Sequence, residues 1–167
     1  MEISVYTDAS IRDDRCKASI GGFISENSKI ILQFSNEIDY TRVYHNSNFA
    51  ELIAIENGLM LAKQRGIKNL VLFSDSKSGI ELIQFMRNPI REDRITKFSI
   101  YIKQKKFFLQ LYFLVNSFLN LTCKFILREL NGVANVLSRL ITNKNYHREI
   151  KQYTEHLQWA CSRYKFT

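Results

Sequence analysis

The sequence predicts an α/β domain built on a mixed five-stranded sheet with helices on both faces. Three observations lead there. Residues 2–8, EISVYTD, alternate in polarity and are rich in β-formers, and two similar runs follow at once. From Asn48 the apolar period changes from two to the helical 3–4, with Leu52, Ile55, Leu59 and Ala62 in register. Beyond Gly66, short apolar runs alternate with helical ones, as expected where parallel strands are joined by helices.

Each element has a local reason. ASIGGFIS and SKIILQFS, separated by the turn pair Glu26 and Asn27, read as the second and third strands of an antiparallel meander. The first helix runs from about Asn48, a candidate cap, to about Arg65, where Gly66 ends it. NLVLFSD is almost wholly apolar, as a strand covered on both faces should be. Ser76 caps a helix from about Lys77 to Arg87, before Pro89. A long helix is expected from about Glu92 to Leu119, with Ile95, Phe98, Ile102, Leu109 and Tyr112 on one side. TCKFILRE reads as the fifth strand, and residues 131–142 as a helix capped by Asn131. The order is βββαβααβα, with a further helix from Asn143 marked by a stripe of Tyr146, Ile150, Tyr153, Leu157, Cys161 and Tyr164. We expect residues 1–142 to form the domain and 143–167 a helical extension packed on it; a partner-binding or dimerising helix is the alternative.

The 167 residues suffice for one cored domain, and 46% hydrophobic with 24% charged residues excludes a disordered chain. Cys16, Cys123 and Cys161 lie far apart and form no CxxC pair, so they read as reduced thiols rather than a zinc site or disulfide framework. The apolar stretch Phe107 to Leu121 is broken by Gln110, Asn116, Ser117 and Asn120, which favours a buried helix over a membrane span. With no signal-peptide pattern at the start, a cytoplasmic monomer without membrane attachment is expected. A net charge of +8 suggests a polyanionic partner. Between 87 and 106, Arg87, Arg91, Arg94, Lys97, Lys103, Lys105 and Lys106 face only Glu92 and Asp93.

Three acids stand out by position. Asp8 ends the first strand, Asp75 ends the fourth, and Glu51 begins the first helix. If strands one and four are parallel neighbours, both aspartates emerge at the carboxyl edge where ligands bind in open α/β sheets. Three carboxylates gathered there repel one another unless a hard divalent cation lies between them. Capping alone also accounts for an Asp before a turn and a Glu early in a helix.

Taken in order, VYTDAS, GGF, NSNFAELIAIENGL, LFSDSKSGI and RELNGVANVLSRL resemble the type 1 ribonuclease H family over about residues 3–142. The resemblance implies the same mixed sheet and hydrolysis of the RNA strand of RNA–DNA hybrids with two Mg2+ ions, Mn2+ being an alternative. It places the metal ligands and catalytic groups at Asp8, Glu51 and Asp75, and the fourth acidic ligand at Asn135, where an Ala-Asp pair is expected and Ala134-Asn135 is found. An amide brings no negative charge, so metal binding and cleavage should be weakened. A replacement made to trap uncut substrate and a natural variant both fit, and the three intact acids favour the former.

The segment before this helix is short and lacks His; its Arg128 is a candidate phosphate contact, or an ion pair with Glu129. Asn46 and Asn48 are candidates to sense the RNA 2′-hydroxyl, the backbone of Ala9 and Ser10 to touch RNA near the scissile bond, and Lys77 to hold phosphate. A non-catalytic module binding hybrid or double-stranded RNA on the same fold is the alternative, favoured by Asn135. A 3′–5′ exonuclease would carry an Asp-x-Glu pair on the first strand, which TDAS lacks.

Overall fold

A computed structural model describes residues 2–87 and 104–140. Strands β1 (Ile3–Arg12), β2 (Lys17–Glu26) and β3 (Lys29–Ile38) form the meander. They are followed by a short helix α1 (Tyr40–Val43), α2 (Ser47–Gln64), β4 (Asn69–Ser74), α3 (Lys77–Arg87), α4 (Lys105–Asn116), β5 (Asn120–Phe125) and α5 (Gly132–Arg139). The sheet order is β3-β2-β1-β4-β5. β1, β2 and β3 pair antiparallel, whereas β1–β4 and β4–β5 are parallel, so the expected mixed sheet is present.

Helices lie on both faces. Val5, Ile20, Ile24, Leu70 and Leu72 meet Leu52, Ile55 and Leu59 of α2, Ile80 and Ile83 of α3, and Leu111 of α4 in the main core. Phe23, Ala134 and Leu137 form a smaller core where α5 covers the other face. There Tyr6 stacks between Phe23 and Phe73, with ring centroids 4.5 and 4.7 Å apart. Among the described residues no helix is long and apolar enough to cross a membrane.

Several local expectations change. The hairpin turn is Asn27–Ser28, not Glu26–Asn27: both residues have left-handed φ, 48° and 67°, and Glu26 stays in the ladder opposite Lys29. Such a turn needs two left-handed residues, a conformation Asn tolerates better than Glu. Asn46, not Asn48, caps α2, its extended φ of −134° letting Oδ1 accept from the Phe49 N–H at 3.0 Å. Ser76 does cap α3, its hydroxyl accepting from the Gly79 N–H at 3.2 Å.

The described part of the long helix starts at Lys105 and stops at Asn116, with Phe107, Phe108, Leu111, Leu114 and Val115 buried. Leu109, expected on the packed side, is exposed, because the burying stripe runs one position away. At the end of this helix Ser117 Oγ donates to the Leu114 carbonyl at 2.7 Å, and the Arg87 guanidinium donates to the Val115 carbonyl at 3.5 Å and, just beyond the helix, to that of Phe118 at 3.0 Å. β5 starts two residues earlier than expected and ends at Phe125, and Arg128–Leu130 forms a 3-10 turn. The segment 88–103, with Arg91, Arg94, Lys97 and Lys103 of the basic cluster, and the extension 143–167 lie outside the described residues. Cys16 and Cys123 are free thiols.

Candidate functional site

The site forms where two parallel strands part. β4 ends at Ser74, opposite Thr7, while β1 continues to Arg12 with only β2 beside it. The next residue on each strand, Asp8 and Asp75, therefore emerges at one edge. Helix α2 supplies Glu51 by lying very close to β1: a Cβ built on Gly58 would sit 2.9 Å from the side chains of both Val5 and Thr7. One carboxylate oxygen from each of Asp8, Glu51 and Asp75 lies within 4.8 Å of the others.

This clustering is costly for the ionised acids. Asp8 is 3% exposed, and its carboxyl is pushed up to about 6, mainly by burial and further by Asp75. A hydrogen bond from Ser138 and the charges of Arg128 and Arg139 act against that rise. Glu51 is raised well above its ordinary value by burial and then by Asp8 and Asp75, against the Ala9 N–H and Arg128. Its Oε2 is buried without a hydrogen-bond partner among the described residues. An orphaned buried carboxylate oxygen between two other acids is what a bound cation would satisfy. The donor set is all oxygen, so it fits a hard divalent ion such as Mg2+ or Mn2+.

Helix α5 is seated against the same edge. Gly21 pairs with Asp8 across β1–β2, and a Cβ at Gly21 would fall 2.1 Å from the Ser138 nitrogen, so only glycine admits the helix. Hydroxyls from the sheet take its last carbonyls: Ser19 Oγ donates to Ser138 and Ser35 Oγ to Leu137, the latter at 2.6 Å. Ser138 Oγ in turn donates to Asp8 Oδ2 at 2.6 Å. Asn135, half-buried, stands three residues earlier on this helix, and its backbone carbonyl lies 2.7 Å from the same hydroxyl.

The remaining candidates are more dispersed. Ala9 bonds the Glu51 carboxylate through its backbone N–H, and Ser10 continues β1 opposite Ser19. Asn48 Oδ1 accepts from Ser78 Oγ at 3.1 Å, which joins the start of α2 to that of α3. Lys77 is exposed at the first residue of α3. Arg128 is exposed, close enough to lower both Asp8 and Glu51, and among the described residues no ion pair joins it to Glu129.

Sequence reasoning missed Ser138 and Arg139 and misread Asn131. Asn131 makes no cap bond to α5; it is 1% exposed and its Nδ2 donates to the Thr7 carbonyl at 2.9 Å and to Asp75 Oδ1 at 3.2 Å. Its backbone, with φ of −95° and ψ of 19°, lies outside the extended range usual for a capping residue. Ser138 carried one faint signal, a hydroxyl three residues beyond Asn135 in an otherwise apolar run.

Residues 6–141 match the family model described as reverse transcriptase-like. The chain belongs to the reverse transcriptase-like family. Its fold is that of ribonuclease H. The ribonuclease H1 of the halophilic archaeon Halobacterium salinarum superposes with a TM-score of 0.63 at 17% identity, over 82% of this chain and 94% of that one. LC11-RNase H1, solved in complex with an RNA/DNA hybrid, gives 0.62 at 22% identity, over 81% and 93%. The N-terminal RNase H domain of rv2228c from Mycobacterium tuberculosis gives 0.61 at 18%, over 81% and 89%. No curated protein matches the chain. The family expected from the sequence motifs is thus met, and so is the fold.

Proposed function

We propose that this protein is an endoribonuclease that hydrolyses the RNA strand of RNA–DNA hybrids with Mg2+, in a form weakened by Asn135. The observation that carries this reading is the convergence of Asp8, Glu51 and Asp75 within 4.8 Å at the carboxyl edge of β1 and β4. Asp8, Glu51 and Asp75 would hold the ions, with Asn135 as a neutral fourth ligand. Bound there, divalent ions supply an activated water and stabilise the leaving oxygen of a phosphodiester.

The chain's own residues support the rest of the task. Arg128, exposed and close enough for its charge to act on Asp8 and Glu51, would take a substrate phosphate and offset the charge that the carboxylates bring. Asn48, held by Ser78, offers an oriented amide for the 2′-hydroxyl that marks RNA. Asn46 uses its Oδ1 as a helix cap, which leaves its amide nitrogen for the same purpose. Ala9 keeps Glu51 in place while Ser10 extends the edge past the site. Lys77 and the basic residues between 91 and 106 would contact phosphates without reading sequence.

A second reading, a non-catalytic binder of hybrid or double-stranded RNA, is favoured only by the missing charge at Asn135. The Asn135→Asp protein separates the two. It should tighten Mg2+ by about tenfold or more, since a direct ligand outweighs an outer partner, and cut a labelled hybrid faster than the native chain. Duplex DNA, duplex RNA and a four-way junction should stay intact in parallel reactions. A restored acid that binds the hybrid and leaves it whole would establish the binder instead.

A further inference from the structure

We infer that Ser138 is a positioning residue of the acidic site, its hydroxyl locking one oxygen of Asp8 so that the other is presented to the divalent ion. This inference rests on the metal-site reading above. A serine hydroxyl has one proton, and here two acceptors compete for it: Asp8 Oδ2 at 2.6 Å and the Asn135 carbonyl at 2.7 Å. A bond to an ionised carboxylate is about twice as strong as one to a neutral carbonyl, so the proton goes to Asp8. The Asn135 carbonyl is the resting alternative, of the kind serines in helices use.

The backbone that carries the hydroxyl is held in place. Ser138 is fully buried, its carbonyl accepts from Ser19 Oγ, and its backbone nitrogen lies where a side chain at Gly21 would be. Gly21 is itself the partner of Asp8 in the β1–β2 ladder. The donor and the carboxylate are therefore tied to the same point of the sheet by separate restraints. Fixing the plane of a ligand carboxylate by an outer hydrogen bond strengthens metal binding, and losing such a bond commonly costs 10–100-fold in affinity.

The test is calorimetric titration of the full chain with Mn2+. Ser138→Ala should weaken binding by about tenfold while its unfolding remains cooperative. Ser138→Cys, similar in shape and a poor donor, should show the same loss if the alanine variant does not fold. Ser35→Ala anchors the comparison: it removes a bond to the Leu137 carbonyl of the same helix without touching Ser138 or Asp8, so it should lower stability and keep native Mn2+ affinity. Native affinity in the Ser138 variants, or an equal loss in Ser35→Ala, would overturn the positioning role and leave the metal site standing. If neither the native chain nor Asn135→Asp takes up Mn2+, the metal site itself is refuted and this role falls with it.

Discussion

Replacing Asp8 by Asn should stabilise the metal-free protein at neutral pH, although it removes a residue central to the proposed activity. The Asp8 carboxyl rises from 3.8 to about 6 on folding, chiefly through burial. A tenfold change in proton affinity corresponds to about 1.4 kcal/mol, so ionised Asp8 costs the fold on the order of 3 kcal/mol. The folded value lies above the unfolded one. Its stabilising contribution is therefore complete below about pH 4 and disappears as pH rises through about 6. An amide avoids ionisation, and its oxygen can still accept from Ser138. Its NH2 group must find an acceptor, which trims the gain to about 1–3 kcal/mol, or roughly 3–9 °C in Tm for a chain of this size. Thermal unfolding in EDTA at about pH 8 and about pH 4 measures it: a clear gain at the higher pH, little at the lower. Adding millimolar Mg2+ should then stabilise the native chain and leave the variant unmoved, because only the former keeps all three acids of the proposed site. A variant less stable than native at about pH 8 without metal would refute the electrostatic account. A gain of equal size at about pH 4 would do so as well.

Two further outcomes follow from the geometry. Gly21→Ala places a methyl 2.1 Å from the Ser138 nitrogen, so α5 must move; we expect a loss of about 1–3 kcal/mol or more by urea unfolding, with weakened Mn2+ uptake. Arg128→Ala should leave urea stability within about 0.5 kcal/mol, since the side chain is exposed. It should lower the salt dependence of hybrid binding by about one phosphate contact, read as the slope of log affinity against log salt; an unchanged slope would remove Arg128 from the interface.

Much of this molecule was legible before its structure. Helix α2 followed from the spacing of Leu52, Ile55, Leu59 and Ala62, all of which are buried. Asp8 and Asp75 were recognisable as acids that follow strand-like runs, but Asp8 does not end its strand: β1 runs on to Arg12 because β2 keeps pairing with it, and only the structure showed β1 and β4 to be parallel neighbours. Boundaries were less legible. The cap moved from Asn48 to Asn46, and the exposed side of α4 took Leu109, because neighbouring residues of similar type differ only in the angle at which they meet the sheet.

By itself the sequence determined the alternation of strand and helix, the family and the three acids, since periodicity and residue type are local properties written along the chain. Only the tertiary structure decided that Asn131 is a buried tether between Thr7 and Asp75 rather than a cap, and that Ser138 bonds Asp8. Those contacts span 124, 56 and 130 positions. They arise from the seating of α5 on Gly21, a long-range packing event that no local period encodes.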